Sequence, residues 1–250
     1  MEEAVPAINW WRTPAPDDVD ANNMLTGKNY ASGIIPTCYS PEGVGYFLIG
    51  LQPSAWYKKV GNRQEKIGWS YFTGWQDVGD LNKEFTAARE ASEETINAIG
   101  NFNFLFETLN DKSSCCELAS GTFLICFGEL NDEQRRAIVE THKRGRKYSL
   151  SVSKREMQRL KWITAADMKE AVTTGTCKAM QSRHSERLER KFRSYVRKCF
   201  ADVSWEEGPL SALSNGENPF PLQKNRWEEW INRRWVPEND LPVKPKTNFF

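Results

Sequence analysis

Histidine is scarce in this chain of 250 residues: only His142 and His184 occur, both in polar settings. A zinc site or a His-based nucleophile triad is therefore not expected. The six cysteines, at 38, 115, 116, 126, 177 and 199, form no Cys-x-x-Cys pair, and Cys126 within Thr-Phe-Leu-Ile-Cys-Phe reads as plain core. Met-Glu-Glu at the start lacks the basic residues and apolar run of a secretory signal. No apolar run approaches the ~20 residues needed to cross a bilayer. Charge is nearly balanced, 34 Lys and Arg against 33 Asp and Glu, so any basic or acidic site must be local. No internal repeat is visible. These absences lead us to expect an intracellular protein, cytoplasmic or nuclear, with reduced thiols and no membrane partner. Its length suffices for a real core, and its oligomeric state is not legible.

What the chain does have is a run of carboxylates. From Gly74 to Glu94 a glycine-punctuated turn passes into a predicted helix carrying Arg89, Glu90, Glu93 and Glu94. The three glutamates stand at i, i+3 and i+4, where a helix brings them together and their repulsion weakens an isolated helix by roughly 0.2–0.5 kcal/mol per pair. Two readings fit this spacing: a solvated surface face, or carboxylate oxygens gathered around a Mg²⁺ or Mn²⁺. Helical phase is compatible with both. Phe85, Ala88, Thr95, Ile96 and Ile99 gather on one stripe, with Glu90 and Glu94 nearly opposite and Glu93 to one side.

The order of glycine turn, helix and Arg-Glu-x-x-Glu-Glu resembles the Nudix box, in which Gly and Glu are followed by Arg-Glu-aliphatic-x-Glu-Glu-x-Gly-aliphatic. Gly74 matches the first glycine, Asp80 stands at the first glutamate, and Arg89, Glu90, Glu93 and Glu94 match the rest. The chain departs from the pattern in several places. Asp80 is shorter than Glu, eight residues rather than seven separate it from Arg89, Ala91 is small for the aliphatic position, and Ile96 stands at the second glycine. The extra residue is expected in the loop before the helix. A second segment resembles the family too: Glu156 lies six residues before Trp162 in Trp-Ile, where many Nudix domains carry a further metal ligand or base on a loop. The plainer reading of Glu156 is a surface glutamate.

The resemblance covers roughly residues 29 to 175. It implies an α/β fold, a Nudix-type α/β/α sandwich with a mixed β-sheet, extended at the C-terminus by helix. It also implies a Mg²⁺- or Mn²⁺-dependent pyrophosphohydrolase acting on a nucleoside-diphosphate-linked substrate. Glu90 and Glu94 would be the principal ligands, with Glu93 and Glu156 completing the shell and one of the four acting as general base. Arg89 would hold the turn by pairing with Asp80 or with the cluster, and Gly74 would permit a backbone geometry that a Cβ hinders. A catalytically inactive Nudix-like RNA-binding or scaffolding module is the alternative.

Around that unit the chain divides into an arm over 1–28 with Trp10 and Trp11, the domain over 29–175, a basic amphipathic helix within 176–204, and a Trp- and Pro-rich tail over 205–250. Strands are predicted at Tyr30–Tyr39 and Gly45–Gln52 with a hairpin between, then at 67–72, 102–109 and 122–127. Helices are predicted from an Asp132 cap to about Thr141, over 165–172, over 178–200, and as a short turn carrying Trp227 and Trp230. Trp56 sits among Lys58, Lys59, Arg63 and Lys66, either as a nucleobase-holding loop or as a solvated one with a buried indole. The run His142–Lys147, with Lys143, Arg144, Arg146 and Lys147, reads as a loop that is either solvated or grips a polyphosphate or RNA backbone. Capped RNA is slightly preferred over small nucleotides as substrate because of these basic stretches.

Overall fold

The computed structural model describes residues 30–52, 68–111, 113–119, 121–148, 157–180, 192, 194–201, 203–220 and 226–234. Seven strands form one mixed sheet: β1 Ala31–Tyr39, β2 Gly45–Gln52, β3 Gly68–Ser70, β4 Phe72–Trp75, β5 Cys115–Ala119, β6 Thr122–Glu129 and β7 Arg159–Thr164. Seven α-helices occur among the described residues: α1 Lys83–Glu94, α2 Phe102–Asn110, α3 Asp132–Tyr148, α4 Ala165–Thr174, α5 Ser194–Cys199, α6 Gly208–Ser214 and α7 Arg226–Arg234. The architecture is α/β, with helices packed on both sides of the sheet.

Strand order is β3-β2-β1-β6-β5, with β7 on the other side of β2 and β4 beside β1. Among the pairs of described strands only β1 and β6 run parallel. The expected hairpin is present: Ser40 donates its N–H to Val44 and Gly43 to Ser40. From there β1 and β2 pair over only three positions, Thr37 to Tyr39 against Gly45 to Phe47, and then separate. The break between them is filled by β3, which pairs with the far end of β2, and β4, which pairs with the start of β1. One strand expected over 67–72 is thus two short ones, divided at Tyr71. The open end of this split positions the site.

Two-faced burial dictates the layering. Along β1 Ile34 and Ile35 enter different cores, and along β6 Phe123, Ile125 and Phe127 face one while Leu124 and Cys126 face the other. One core takes Ala87, Ala88 and Ala91 of α1, Phe104 and Leu105 of α2, and Trp227 and Trp230 of α7. The other takes Met168 of α4, Val196 of α5, and Leu210 and Leu213 of α6.

Several expected elements differ. Residues 102–109, read as a strand from their aromatics, form helix α2. Asn101 caps it by accepting the Phe104 N–H at 3.0 Å, and Phe104, Leu105, Thr108 and Leu109 bury on a helical period. Helix α3 runs to Tyr148 rather than Thr141, so the basic run 142–147 is helix and not loop. Its cap is Asn131 rather than Asp132: Asn131 and Gln134 exchange side-chain-to-backbone hydrogen bonds of 2.8 and 2.9 Å, a capping box. The continuous helix expected over 178–200 is broken among its described residues into a 3₁₀ turn at Lys178–Met180, a bridge between Phe192 and Trp69, and α5.

The segment read as a tail packs in part against the domain. Trp205 lies against Phe47 and Phe200, and Arg226 of α7 pairs with Asp111 and Glu229. The helices at 165–174 and around Trp227 and Trp230 are present, whereas β5 and α6 had no counterpart in the sequence reading. The arm at 1–28, with Trp10 and Trp11, lies outside the described residues.

Candidate functional site

Helix α1 starts where Asn82 accepts the Phe85 N–H at 2.8 Å, and the loop from β4 into that cap is tied down by Asp80. Asp80 is buried and accepts from the Asp77 N–H at 3.0 Å, the Thr86 hydroxyl at 2.8 Å and the Arg89 guanidinium at 2.9 Å. Arg89 also donates to the Trp75 carbonyl at 2.9 Å and to Glu90 Oε1 at 2.8 Å, and lies 3.8 Å from Glu93. One guanidinium thus spans the loop, the strand end and the helix, which its planar fork of five donors allows. Burial alone would lower the Arg89 pKa; the hydrogen bond to Asp80 and the charges of Glu90, Asp80 and Asp77 outweigh it and hold it raised.

The glutamates one helical turn apart face the same strand. Glu94 is 1% exposed, and its Oε2 accepts the Thr73 N–H of β4 at 2.8 Å. Its Oε1 accepts the Gln52 side-chain amide, from the last residue of β2, at 3.0 Å. Glu90 lies over the neighbouring residue of β4: a Cβ at Gly74 would overlap the Glu90 carboxylate, so any side chain there would push that carboxylate from its place. The Glu93 side chain is 37% exposed. The carboxylate face is therefore not the solvated surface that one of the two readings of its spacing offered, although Glu93 is partly exposed. Helix α1 packs against α2 on one flank, where Phe85 meets Phe102 and Phe106, and against β4 on the other.

The end of α1 answers the missing second glycine. The Ile96 N–H bonds to the Glu93 carbonyl at 3.1 Å and the Asn97 N–H to the Ser92 carbonyl at 2.8 Å, the paired closure of a Schellman motif. Ile96 sits at φ 55° and Asn97 at φ 57°. Ile96 adopts the left-handed conformation that glycine ordinarily supplies, at a cost of roughly 1–2 kcal/mol. It packs on α3, where a Cβ at Gly145 would come 2.8 Å from Ile96 Cγ2. Beside it His142 is buried, and its pKa is pushed down to about 4 by burial and the nearby Arg146 charge. The backbone carbonyls of Glu94 and Met157 oppose that shift, while His142 Nε2 has no hydrogen-bond partner among the described residues.

The basic residues divide. Lys143, Arg144 and Lys147 are exposed on α3, whereas Arg146 is half-buried and donates to the Gln158 carbonyl at 3.0 Å. Glu156 and Trp56 lie outside the described residues. Gln52 and Thr73 hold the Glu94 carboxylate and had no place in the expected site, and His142 meets the Glu94 backbone carbonyl rather than the carboxylates. The sequence signal for Gln52 was a polar residue closing an apolar strand run; Thr73 acts through its backbone and leaves no such signal.

Among the described residues no three His, Cys, Asp or Glu side chains form a group that could hold a metal ion. Glu90 and Glu94 nevertheless suit Mg²⁺ in kind, since this ion takes hard oxygen donors and is commonly bound through one or two carboxylates plus substrate phosphates. No helix among the described residues is long and apolar enough to cross a membrane. Comparison with protein-family models and with curated proteins finds no match.

Proposed function

We propose that the protein is a Mg²⁺- or Mn²⁺-dependent pyrophosphohydrolase of the Nudix type, cleaving a phosphoanhydride in a nucleoside-diphosphate-linked substrate. The observation that carries this reading is Arg89, which joins Asp80, Trp75 and Glu90 so that the glycine turn and the glutamate helix form one unit. The left-handed turn at Ile96 supports it as well, because the backbone there takes the shape that the pattern's glycine would permit.

Glu90 and Glu94 would hold the cation, which would neutralise charge on the bridging phosphates and supply an activated water. The chain's own groups orient those two carboxylates: Arg89 fixes Glu90, and the Thr73 amide fixes Glu94. Glu93, more exposed than its neighbours, and Glu156 are the candidates to take a proton from the attacking water. Capped RNA is slightly preferred over small nucleotides, since Arg136, Lys143, Arg144 and Lys147 lie exposed on α3. That basic surface also suits the second reading, a non-catalytic RNA-binding module of the same fold.

The test is to incubate the purified chain with Mg²⁺ or Mn²⁺ and capped RNA, dinucleoside polyphosphates, nucleotide sugars or NADH. Hydrolysis of at least one is expected. Glu94→Gln should reduce it by at least about a hundredfold, more than loss of an outer partner of a metal site typically costs. Silence across the panel with retained RNA binding would favour the second reading.

A further inference from the structure

The geometry points to Gln52 as a positioning residue for Glu94, one that orients the carboxylate without neutralising it. This rests on Glu94 being a ligand for a divalent cation. Gln52 ends β2, and its backbone is held from both sides. It pairs with Gly68 of β3, while the preceding Leu51 carbonyl accepts the Gln158 N–H at 2.7 Å. The side chain is 8% exposed and reaches 42 residues along the chain to Glu94. Thr73 donates to the other oxygen from β4. Two donors from two strands, one on each oxygen, fix both the tilt and the twist of the carboxylate. They do so at the open end of the split between β1 and β2.

A carboxylate only accepts, so the Gln52 amide must turn its NH₂ toward Glu94 and its Oε1 away. That Oε1 is buried with no hydrogen-bond partner among the described residues. Leaving a buried acceptor in that state is unfavourable, and a Met of similar length would fill the space without it. The side chain is therefore explained by the donor it gives to Glu94, whose buried Oε1 would otherwise lose that hydrogen bond. Its chemistry is also specific. Asn is a methylene too short, Glu would repel Glu94, and Lys or Arg would offset the charge that a divalent cation needs.

Mn²⁺ alone is the probe, titrated into the full chain without substrate and followed by the loss of the free-ion paramagnetic resonance signal, with melting temperature measured in parallel. Wild type should bind. Gln52→Met removes a donor to a buried carboxylate, so it should lower the melting temperature while the chain stays folded, and it should weaken Mn²⁺ binding by about 10–100-fold, the usual effect of losing an outer-shell partner. Gln52→Lys, a second variant should Gln52→Met not fold, should pair with Glu94 and weaken binding at least as much without loss of stability. A folded Gln52→Met or Gln52→Lys protein with wild-type Mn²⁺ affinity overturns the role of Gln52 and leaves the proposed hydrolase standing. A wild-type chain that binds no Mn²⁺ overturns the metal reading of Glu94, and this inference with it.

Discussion

Helices α1 and α3 carry dense charge of opposite sign and treat it in opposite ways. On α1, Glu94 is buried, Glu90 nearly so, and the donors to them come from Arg89, Thr73 and Gln52. On α3, Arg136, Lys143, Arg144 and Lys147 face outward, and the Lys143–Glu140 pair is exposed on both sides. Spacing alone describes both helices as charged faces. The difference lies in what distant segments bring to them. A buried carboxylate is tolerable only with donors arranged around it, whereas an exposed ammonium is satisfied by water. Structure built around charge is thus found on α1, and an exposed basic surface on α3.

The most severe way to break this contrast is to remove the cation that orders α1. Arg89→Ala leaves Asp80, whose side chain is 3% exposed, without its guanidinium, and should cost about 3–5 kcal/mol in urea unfolding. Arg89→Lys should recover only part, because a point charge cannot bridge Asp80, Trp75 and Glu90 at once. Lys83→Ala, which removes an exposed 3.1 Å pair between the start of α1 and Glu117 of β5, should cost no more than about 1 kcal/mol. If Arg89→Ala proved as mild as Lys83→Ala, the charges of α1 would be as solvated as those of α3.

This split was only half legible in the sequence. The order Gly74, Asp80, Arg89, Glu90, Glu93, Glu94 carries the local chemistry, and hairpin and central strand followed from alternation and apolar runs. What the sequence did not disclose is long-range. That Gln52 meets Glu94 depends on β1 and β2 separating after three paired positions, which no local pattern encodes. Residues 102–109 misled for a different reason: their phenylalanines favour strands in isolation, yet Asn101 and packing against Phe85 made the segment helical. The density of basic residues suggested a loop at 142–147. The helix instead continues through Gly145, where a Cβ would come 2.8 Å from Ile96 Cγ2, so the glycine allows close packing rather than marking a break.

His142 is where α3 departs from its own rule, a titratable group turned inward. Its pKa is about 4 in the folded chain against an ordinary 6.5, so the unfolded chain binds the extra proton between those values. Stability is therefore complete above about pH 6.5 and falls as pH drops toward 4, by about 2 kcal/mol between pH 7.5 and pH 5. His142→Gln should flatten that slope in denaturant titrations at the two pH values. An unchanged slope would assign the acid sensitivity to carboxylates instead.

At the junction of the two helices Ile96 sharpens the comparison, since there α1 bears strain that α3 was shaped to accept. Replacing Ile96 with Ala removes its packing on Gly145 and keeps the left-handed strain, while Ile96→Gly removes both. The glycine variant should be the more stable of the two by about 1 kcal/mol in urea midpoints. Ala equal to Gly would mean that the turn relaxes out of the left-handed region.

The smallest effect on stability is expected where the contrast matters most for binding. Changing Lys143, Arg144 and Lys147 together to Gln should move stability by no more than about 0.5 kcal/mol, as for other surface substitutions. If these three meet a single-stranded RNA backbone, the slope of log K against log salt should fall by about 2, at about 0.7 per phosphate contact. Arg146→Gln gives the internal control. Its guanidinium donates to the Gln158 carbonyl, so it should lower stability and leave the salt slope unchanged. The opposite pairing, with stability lost on the exposed residues and salt dependence lost at Arg146, would mean that α3 is built around its charges as α1 is. The polyanion surface would then have to be sought elsewhere on the molecule.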